Sequence, residues 1–249
     1  MDSFYIDKKV QVAEKKPMPV YNIRFSPSVD AYAITSFPLK NKVNRFAKRS
    51  FDIIASLFLI ITVLSWLVPL FAIIIKLDSR GPVFFRQKRN KAGGEVFQCI
   101  KFRTMIVNDE ADSLAAKVND ERITGFGKFI RHHHLDELPQ LLNVLMGDMS
   151  IIGPRPYMIS ENLYYENIFE TYANRHTIKP GITGLAQSHG YFGSIHNLEN
   201  VKQRVELDII YIQNWSMGMD IKIIYRTLKM AMGADTTSSV KFTKQDKTF

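Results

Sequence analysis

The sequence predicts an α-rich α+β fold: a membrane re-entrant helical hairpin carrying a cytosolic-face domain of short helices, a small β-hairpin and interfacial amphipathic helices. Three observations predict it. The run Ile53–Ile75 is 23 residues without a charge and holds one proline, basic clusters flank it on both sides, and short amphipathic and turn-punctuated segments follow it. Composition sets the bounds: among 249 residues, 46% are hydrophobic and 23% charged, near the globular average, which excludes disordered and collagen-like chains. The single cysteine, Cys99, excludes a disulfide framework and a Cys-rich zinc module. A net charge of +9 points to an anionic partner without naming it.

Residues 1–45 contain prolines at 17, 19, 27 and 38 and no apolar run of bilayer length, so an extended or poorly ordered arm is expected. Residues 46–76 form the predicted membrane helix. At about 1.5 Å per residue the uncharged run is long enough for a hydrocarbon core of about 30 Å. It starts too far along the chain, and is too long, for a cleaved signal peptide. Between Lys40 and Arg103 lie 13 basic residues and three acids, a surplus of +10, with bases on both sides of the run. The positive-inside bias therefore asks both flanks to stay on the cytoplasmic side. Pro69 removes a helix hydrogen bond inside the run, which favours a hairpin bent at or near Pro69 that enters and leaves by one leaflet. A kinked helix that crosses once is the alternative that proline also permits.

Residues 77–233 form the predicted cytosolic-face domain. Gly81-Pro82 marks a turn, and VFFRQKRNKAGGEVFQCIKFRTM reads as a β-hairpin around Gly93-Gly94. A polar helix is expected over Asp109–Val118, then an apolar helix ending at Gly147. MDIKIIYRTLKMAMG suits an interfacial helix, with Ile221, Ile224, Tyr225 and Leu228 on one face and Lys222, Arg226 and Lys229 on or beside the other; Met217, Met219 and Trp215 would extend a membrane-dipping surface. A core-facing helix fits the same pattern. Residues 234–249 read as a polar tail.

The chemistry concentrates in RHHHLDELPQLLNVLMGD. Pro139 suits a first helical turn, Leu138, Leu141, Leu142 and Leu145 recur at helical spacing, and Gly147 is a stop, so Asp136 and Glu137 fall at a helix N-terminus. One of them simply capping the helix is one reading. The other is chemical: a carboxylate at the positive end of a helix dipole stays ionised and attacks phosphorus, beside a second that holds a divalent cation. Arg155, between Pro154 and Pro156, is held for a bidentate phosphate contact or sits in an ordinary surface turn. KPGITGLAQ reads as a turn before a helix start. His132, His133 and His134 point to different faces and lack a matched carboxylate, so zinc is not expected there.

In order along the chain, KRSFDIIAS, the proline-interrupted run, GPVFFRQKR, KFRTM, LDELPQLLNVLMGDMSIIGPRP, KPGITGLAQ and YIQNWSMGMDIKIIYRTL resemble the monotopic phosphoglycosyl transferases, a bacterial sugar transferase family, over about Lys48–Gly233. The resemblance implies transfer of a sugar 1-phosphate from a UDP-sugar to undecaprenyl phosphate, with release of UMP, at the start of exopolysaccharide, O-antigen, capsule or glycoconjugate assembly. It implies Asp136 as the nucleophile that takes the phosphosugar covalently, Glu137 and Asp136 as the acids that work with Mg²⁺, Lys101, Arg131 and Arg155 as phosphate-binding bases, and Pro69 as the membrane bend. The implied location is the cytoplasmic face of the bacterial inner membrane, among anionic headgroups, with downstream glycosyltransferases as partners and no nucleic acid. Larger members carry additional membrane helices and a second domain; this chain resembles their catalytic unit. Val68 stands where the family commonly has Ser before the proline, with Ser65 one turn earlier placed to substitute, and His134 stands at a position that is often Ser. A catalytically silent membrane scaffold of the same fold is the competing expectation.

Overall fold

The computed structural model describes residues 36–108, 120–191 and 198–232. The helix expected over Asp109–Val118, the polar tail and most of the N-terminal arm lie outside these residues. Asn41 opens the long helix as its N-cap, accepting from the Val43 N–H at 2.8 Å. The helix runs as α1 (Lys42–Leu59), a π-helical turn (Ile60–Leu64) and α2 (Ser65–Asp78). Among the described residues it is the one helix, 37 residues in all, long and apolar enough to cross a membrane.

The break from α-geometry sits at Ile60–Leu64, and Pro69 lies inside α2. A proline ring presses on the carbonyl four residues back, here Ser65. The wider turn ends at that residue, whose N–H reaches back to the Ile60 carbonyl. Thr62, Ser65 and Trp66 then donate side-chain hydrogen bonds to the carbonyls of Phe58, Ile61 and Thr62. Ser65 thus supplies a backbone partner here, to Ile61.

The basic clusters divide their labour. Lys48 is buried against Asp220 at 2.8 Å, and Arg49 donates to the carbonyls of Val144 and Leu145. Arg103 donates to the carbonyls of Ile75, Ser79 and Arg80 at the end of α2. These bases are engaged inside the protein, so the charge surplus overstates the positive charge left free at its surface.

The hairpin forms as expected, with β1 (Phe84–Asn90) antiparallel to β2 (Val96–Phe102) and Phe84 opposite Phe102. Gly93 and Gly94, at φ +77° and +78°, make the turn, a conformation that glycine adopts without a Cβ penalty. α3 (Gly125–His132) and α4 (Gln140–Met146) follow, and Gly147 ends α4 at φ +92°. The segment KPGITGLAQ, expected as a turn before a helix, holds a strand: β4 (Gly181–Thr183) lies parallel to β3 (Ser150–Ile152), for which no strand was expected. A Cβ on Gly181 would come within 2.1 Å of the Gly153 nitrogen, so this ladder closes only because both positions lack side chains.

Two cores result. The larger joins β2, β3, α5 (Ile159–Glu166), α6 (Leu185–Ser188), α7 (Leu198–Asn214) and α8 (Met217–Ala231) around Tyr172, Tyr211, Ile209 and Ile212. The smaller joins Leu64, Leu67, Phe71 and Ile75 of the long helix to Phe102 and Ile130. On α8, Ile221, Tyr225 and Leu228 are exposed while Ile223 is buried, so one helix serves both the core and an outward apolar stripe. Trp215 departs from expectation: it is buried, with Nε1 donating to Asp220, and Met217 and Met219 pack against the core. The outward apolar stripe therefore begins at Ile221.

Candidate active site

Four segments build the site around the acid pair, one of them carrying it. β2 brings Lys101, and Asn143 of α4 fixes that strand: its Oδ1 accepts from the Ile100 N–H at 2.9 Å and its Nδ2 donates to the Gln98 carbonyl at 2.8 Å. α3 brings Arg131 in its last turn. Thr124 caps α3, and Gly127 packs so tightly on the Thr104 carbonyl that a Cβ there would lie 2.1 Å from it. His134, at φ +56°, turns the chain out of α3 into a single 3₁₀ turn, Leu135–Glu137. Pro154-Arg155-Pro156, directly after β3, brings the fourth group.

Asp136 and Glu137 are adjacent, similarly buried and differently bound. The Glu137 carboxylate accepts from Lys101 Nζ at 2.7 Å and from both terminal nitrogens of Arg155 at 2.7 and 3.1 Å. Burial pushes this carboxyl up, but the Arg155 and Lys101 charges and their hydrogen bonds outweigh it and hold Glu137 well below the usual range. Asp136 moves the other way. Burial raises it, Lys101 opposes the rise, and the Glu137 charge adds to it. No described side chain hydrogen-bonds its carboxylate. Neither acid caps α4, whose N-cap is Pro139 with no side-chain bond. The charge states of the two acids therefore follow their neighbours more than a helix end: cationic side chains set Glu137, and burial is the largest influence on Asp136.

Of the expected bases, Arg155 and Lys101 are locked on Glu137. Arg131 faces Asp136 electrostatically while its Nε donates to Thr104 Oγ1 at 2.7 Å. Pro69 stands apart in α2. In the histidine run, the His133 ring lies 4.8 Å from the Phe129 ring and 4.9 Å from that of His132.

Sequence reasoning missed the groups that hold the Arg155 loop. Arg175 is buried between the rings of Tyr157 and Tyr172, pairs with Asp208 at 2.8 Å and donates to the Arg155 carbonyl at 2.8 Å. Arg89 donates to the Pro156 carbonyl at 3.0 Å. YANRHT carries no motif that marks Arg175, and Arg89, although it closes GPVFFRQKR, shows nothing in sequence of the carbonyl it holds. Thr104, which orients Arg131, was at least inside a quoted motif.

No three His, Cys, Asp or Glu side chains converge among the described residues. A pair of adjacent carboxylates suits a Mg²⁺ ion that keeps waters and takes its other ligands from substrate phosphates, not one caged by protein alone.

Comparison with known proteins gives the family of the chain. A family model described as bacterial sugar transferase matches residues 43–234. The chain is 42% identical over 213 residues to a UDP-glucose:undecaprenyl-phosphate glucose-1-phosphate transferase of Klebsiella pneumoniae, covering 84% of this chain and 46% of that protein. It is 42% identical over 199 residues to a protein of the same description from Caulobacter vibrioides, covering 80% of this chain and 74% of that one. A UDP-N-acetylgalactosamine-undecaprenyl-phosphate N-acetylgalactosaminephosphotransferase of Aeromonas hydrophila is 39% identical over 193 residues, 77% of this chain and 45% of its own. The chain spans about half the length of the first of these relatives. With the model matched from the foot of α1 to the end of α8, the chain belongs to the bacterial sugar transferase family.

Proposed function

We propose that the protein transfers a sugar 1-phosphate from a UDP-sugar to undecaprenyl phosphate through a covalent phosphosugar on Asp136. A carboxylate oxygen of Asp136 attacks the phosphorus that bears the sugar. The bond from that phosphorus to the bridging oxygen breaks, and UMP leaves with the oxygen. An oxygen of undecaprenyl phosphate then attacks the same phosphorus, the aspartyl–phosphorus bond breaks, and a diphosphate-linked lipid sugar leaves. The observation that carries this proposal is the opposite engagement of two neighbouring acids: Glu137 is bound on both oxygens, while the Asp136 carboxylate accepts no side-chain hydrogen bond and lies within the electrostatic influence of Lys101, Arg131 and Arg155. Burial that raises Asp136 also makes its ionised form a stronger nucleophile, and the three cations offset charge on the transferring phosphoryl group. Mg²⁺, held by Asp136 and Glu137 together with substrate phosphates, would supply further charge neutralisation.

The decisive experiment incubates the purified full chain with labelled UDP-glucose or UDP-N-acetylgalactosamine, Mg²⁺ and undecaprenyl phosphate. Labelled lipid and UMP are expected, with an adduct on residue 136 by mass spectrometry and no turnover in Asp136→Asn. Near-normal activity in that variant would remove Asp136 from the role. No turnover of the unmodified protein with any common UDP-sugar would favour the silent scaffold.

We further propose that the long helix is re-entrant, with the domain on the cytoplasmic face of the inner membrane. One domain grips both ends of the helix: Lys48 and Arg49 bind it near one end, and the Asp78 carboxylate accepts from the Phe126 N–H at the other. A single crossing would separate those ends by the thickness of the bilayer. Cysteines placed at 40 and 80 in sealed vesicles should label from the same side; labelling from opposite sides overturns the topology.

A further inference from the structure

We infer that Asp52, on the helix that carries the apolar run, is a positioning residue for Arg155. The inference rests on the role proposed above for Arg155 and Glu137. Asp52 is 2% exposed, and its Oδ1 accepts from Ser150 Oγ at 2.9 Å and from the Ile151 N–H at 3.0 Å. Both donors belong to β3.

Strand geometry explains why β3 needs this partner. β3 is three residues long and pairs with β4 along one edge. Its Ser150 N–H donates to the Pro180 carbonyl at 2.8 Å, and the next N–H but two, of Gly153, donates to Thr183 at 2.9 Å. The Ile151 N–H between them points away from β4 into the buried interior, where an unpaired donor is costly. The Asp52 carboxylate stands where a third strand would otherwise lie.

From that bond to the site the backbone is tied at almost every step. The Pro154 carbonyl accepts from the Gly181 N–H at 2.9 Å, the Arg155 carbonyl from Arg175 at 2.8 Å, and the Pro156 carbonyl from Arg89 at 3.0 Å. Gly153 and Gly181 approach too closely for either to carry a Cβ, so the ladder has no slack to absorb a shift of β3. Arg155 then grips Glu137 with two parallel bonds, a geometry that depends strongly on placement. Asp52 touches no reacting group. It acts by fixing the strand that delivers Arg155, and it does so from the membrane helix.

The test uses the full-length protein and compares Asp52→Ala with Asp52→Asn, which keeps an acceptor oxygen. Two readouts are taken: kcat per active site, titrated by the burst of UMP, and backbone amide exchange over residues 150–155. Asp52→Ala is expected to lose about 10- to 100-fold in kcat with little change in donor KM, while exchange over 150–155 rises. Asp52→Asn should restore both readouts towards the parent. A role in bulk stability alone would lower the folded fraction and leave kcat per titrated site unchanged, which overturns the inference, as does a fall in kcat without local loosening. If Asp52→Ala does not fold, Ser150→Ala, which removes one of the two bonds, should show the same pair of changes at smaller size, and their absence again overturns it. Should the unmodified protein turn over no UDP-sugar, the proposed function fails, and the exchange comparison still decides whether Asp52 orders the Arg155 strand.

Discussion

The two halves of the long helix meet the same domain by opposite means. α1 buries Lys48, Asp52 and Ser56 and exposes Val43, Phe46, Ile54 and Phe58. α2 buries Leu67, Phe71 and Ile75 and exposes Trp66, Leu70, Ile73 and Leu77. Beyond Arg45 both outer faces are apolar, so burial of oily surface cannot by itself tell the inner side of α1 from its outer side. Directional bonds make that distinction in α1: Lys48 to Asp220, Arg49 to the end of α4, Asp52 to β3. In α2 shape makes it, with the Phe71 ring set 5.3 Å from Phe102 and 5.1 Å from Phe126 in edge-to-face contacts. An inside-out helix is tied by charges, and an oily one by interlocking rings.

If that contrast holds, isosteric loss of charge should be severe in α1, and isosteric exchange of shape mild in α2. Lys48→Met leaves Asp220 buried without its cation and should cost about 3–5 kcal/mol in unfolding free energy, measured by denaturant titration in detergent. Adding Asp220→Asn should recover much of the loss, since Tyr211 and Trp215 still donate to that side chain. Phe71→Ala should cost about 3 kcal/mol by leaving a cavity, whereas Phe71→Leu stays below about 2 kcal/mol. A Phe71→Leu loss as large as that of Lys48→Met would erase the distinction. Arg49→Ala, which uncaps the α4 carbonyls, should cost about 1–2 kcal/mol.

The smallest effect is electrostatic and reads the site itself. The acid limb of the donor half-reaction should follow Asp136, above the ordinary aspartate value of 3.8, because burial raises it. Removing a neighbouring cation raises it further, so Lys101→Met should move that limb to higher pH by about one unit or less. Glu137 contributes with the opposite sign. Its carboxyl is depressed in the fold, so its stabilising contribution is complete above the unfolded value near 4.5 and is lost as pH falls through the folded one. Acid titration of stability and of activity should therefore separate the two acids.

Much of this was legible where the signal is local. The uncharged run, the Gly93-Gly94 turn, the stop at Gly147 and the outward stripe on α8 each follow from a periodicity or a backbone need confined to a few residues. The 3₁₀ turn bearing Asp136 and Glu137 was found as an acid pair before a helix, although the origin of their charge states was not. Long-range partnerships were invisible. Lys48 finds Asp220 across 172 positions, and Asp52 finds Ser150 across 98; alone, each resembles a charge flanking a membrane run. β3 and β4 are too short to show alternation, and prolines and glycines beside them signal turns more strongly than strands. Arg175 is identified by what it touches, and no spacing encodes that.

The π-helical turn at Ile60–Leu64 also sets the angular phase of the helix. One added residue advances the downstream face by about 100°. The inward series of α1, continued at 3.6 residues per turn, would reach position 66, yet Leu67 is the residue that turns inward and Trp66 is exposed. A helix one residue shorter in this stretch would seat both halves without any bulge, whereas one residue longer would swing the aromatic seam of α2 away from its groove. Length tolerance here is therefore asymmetric, and the wider turn marks the side on which the chain has already reached its limit.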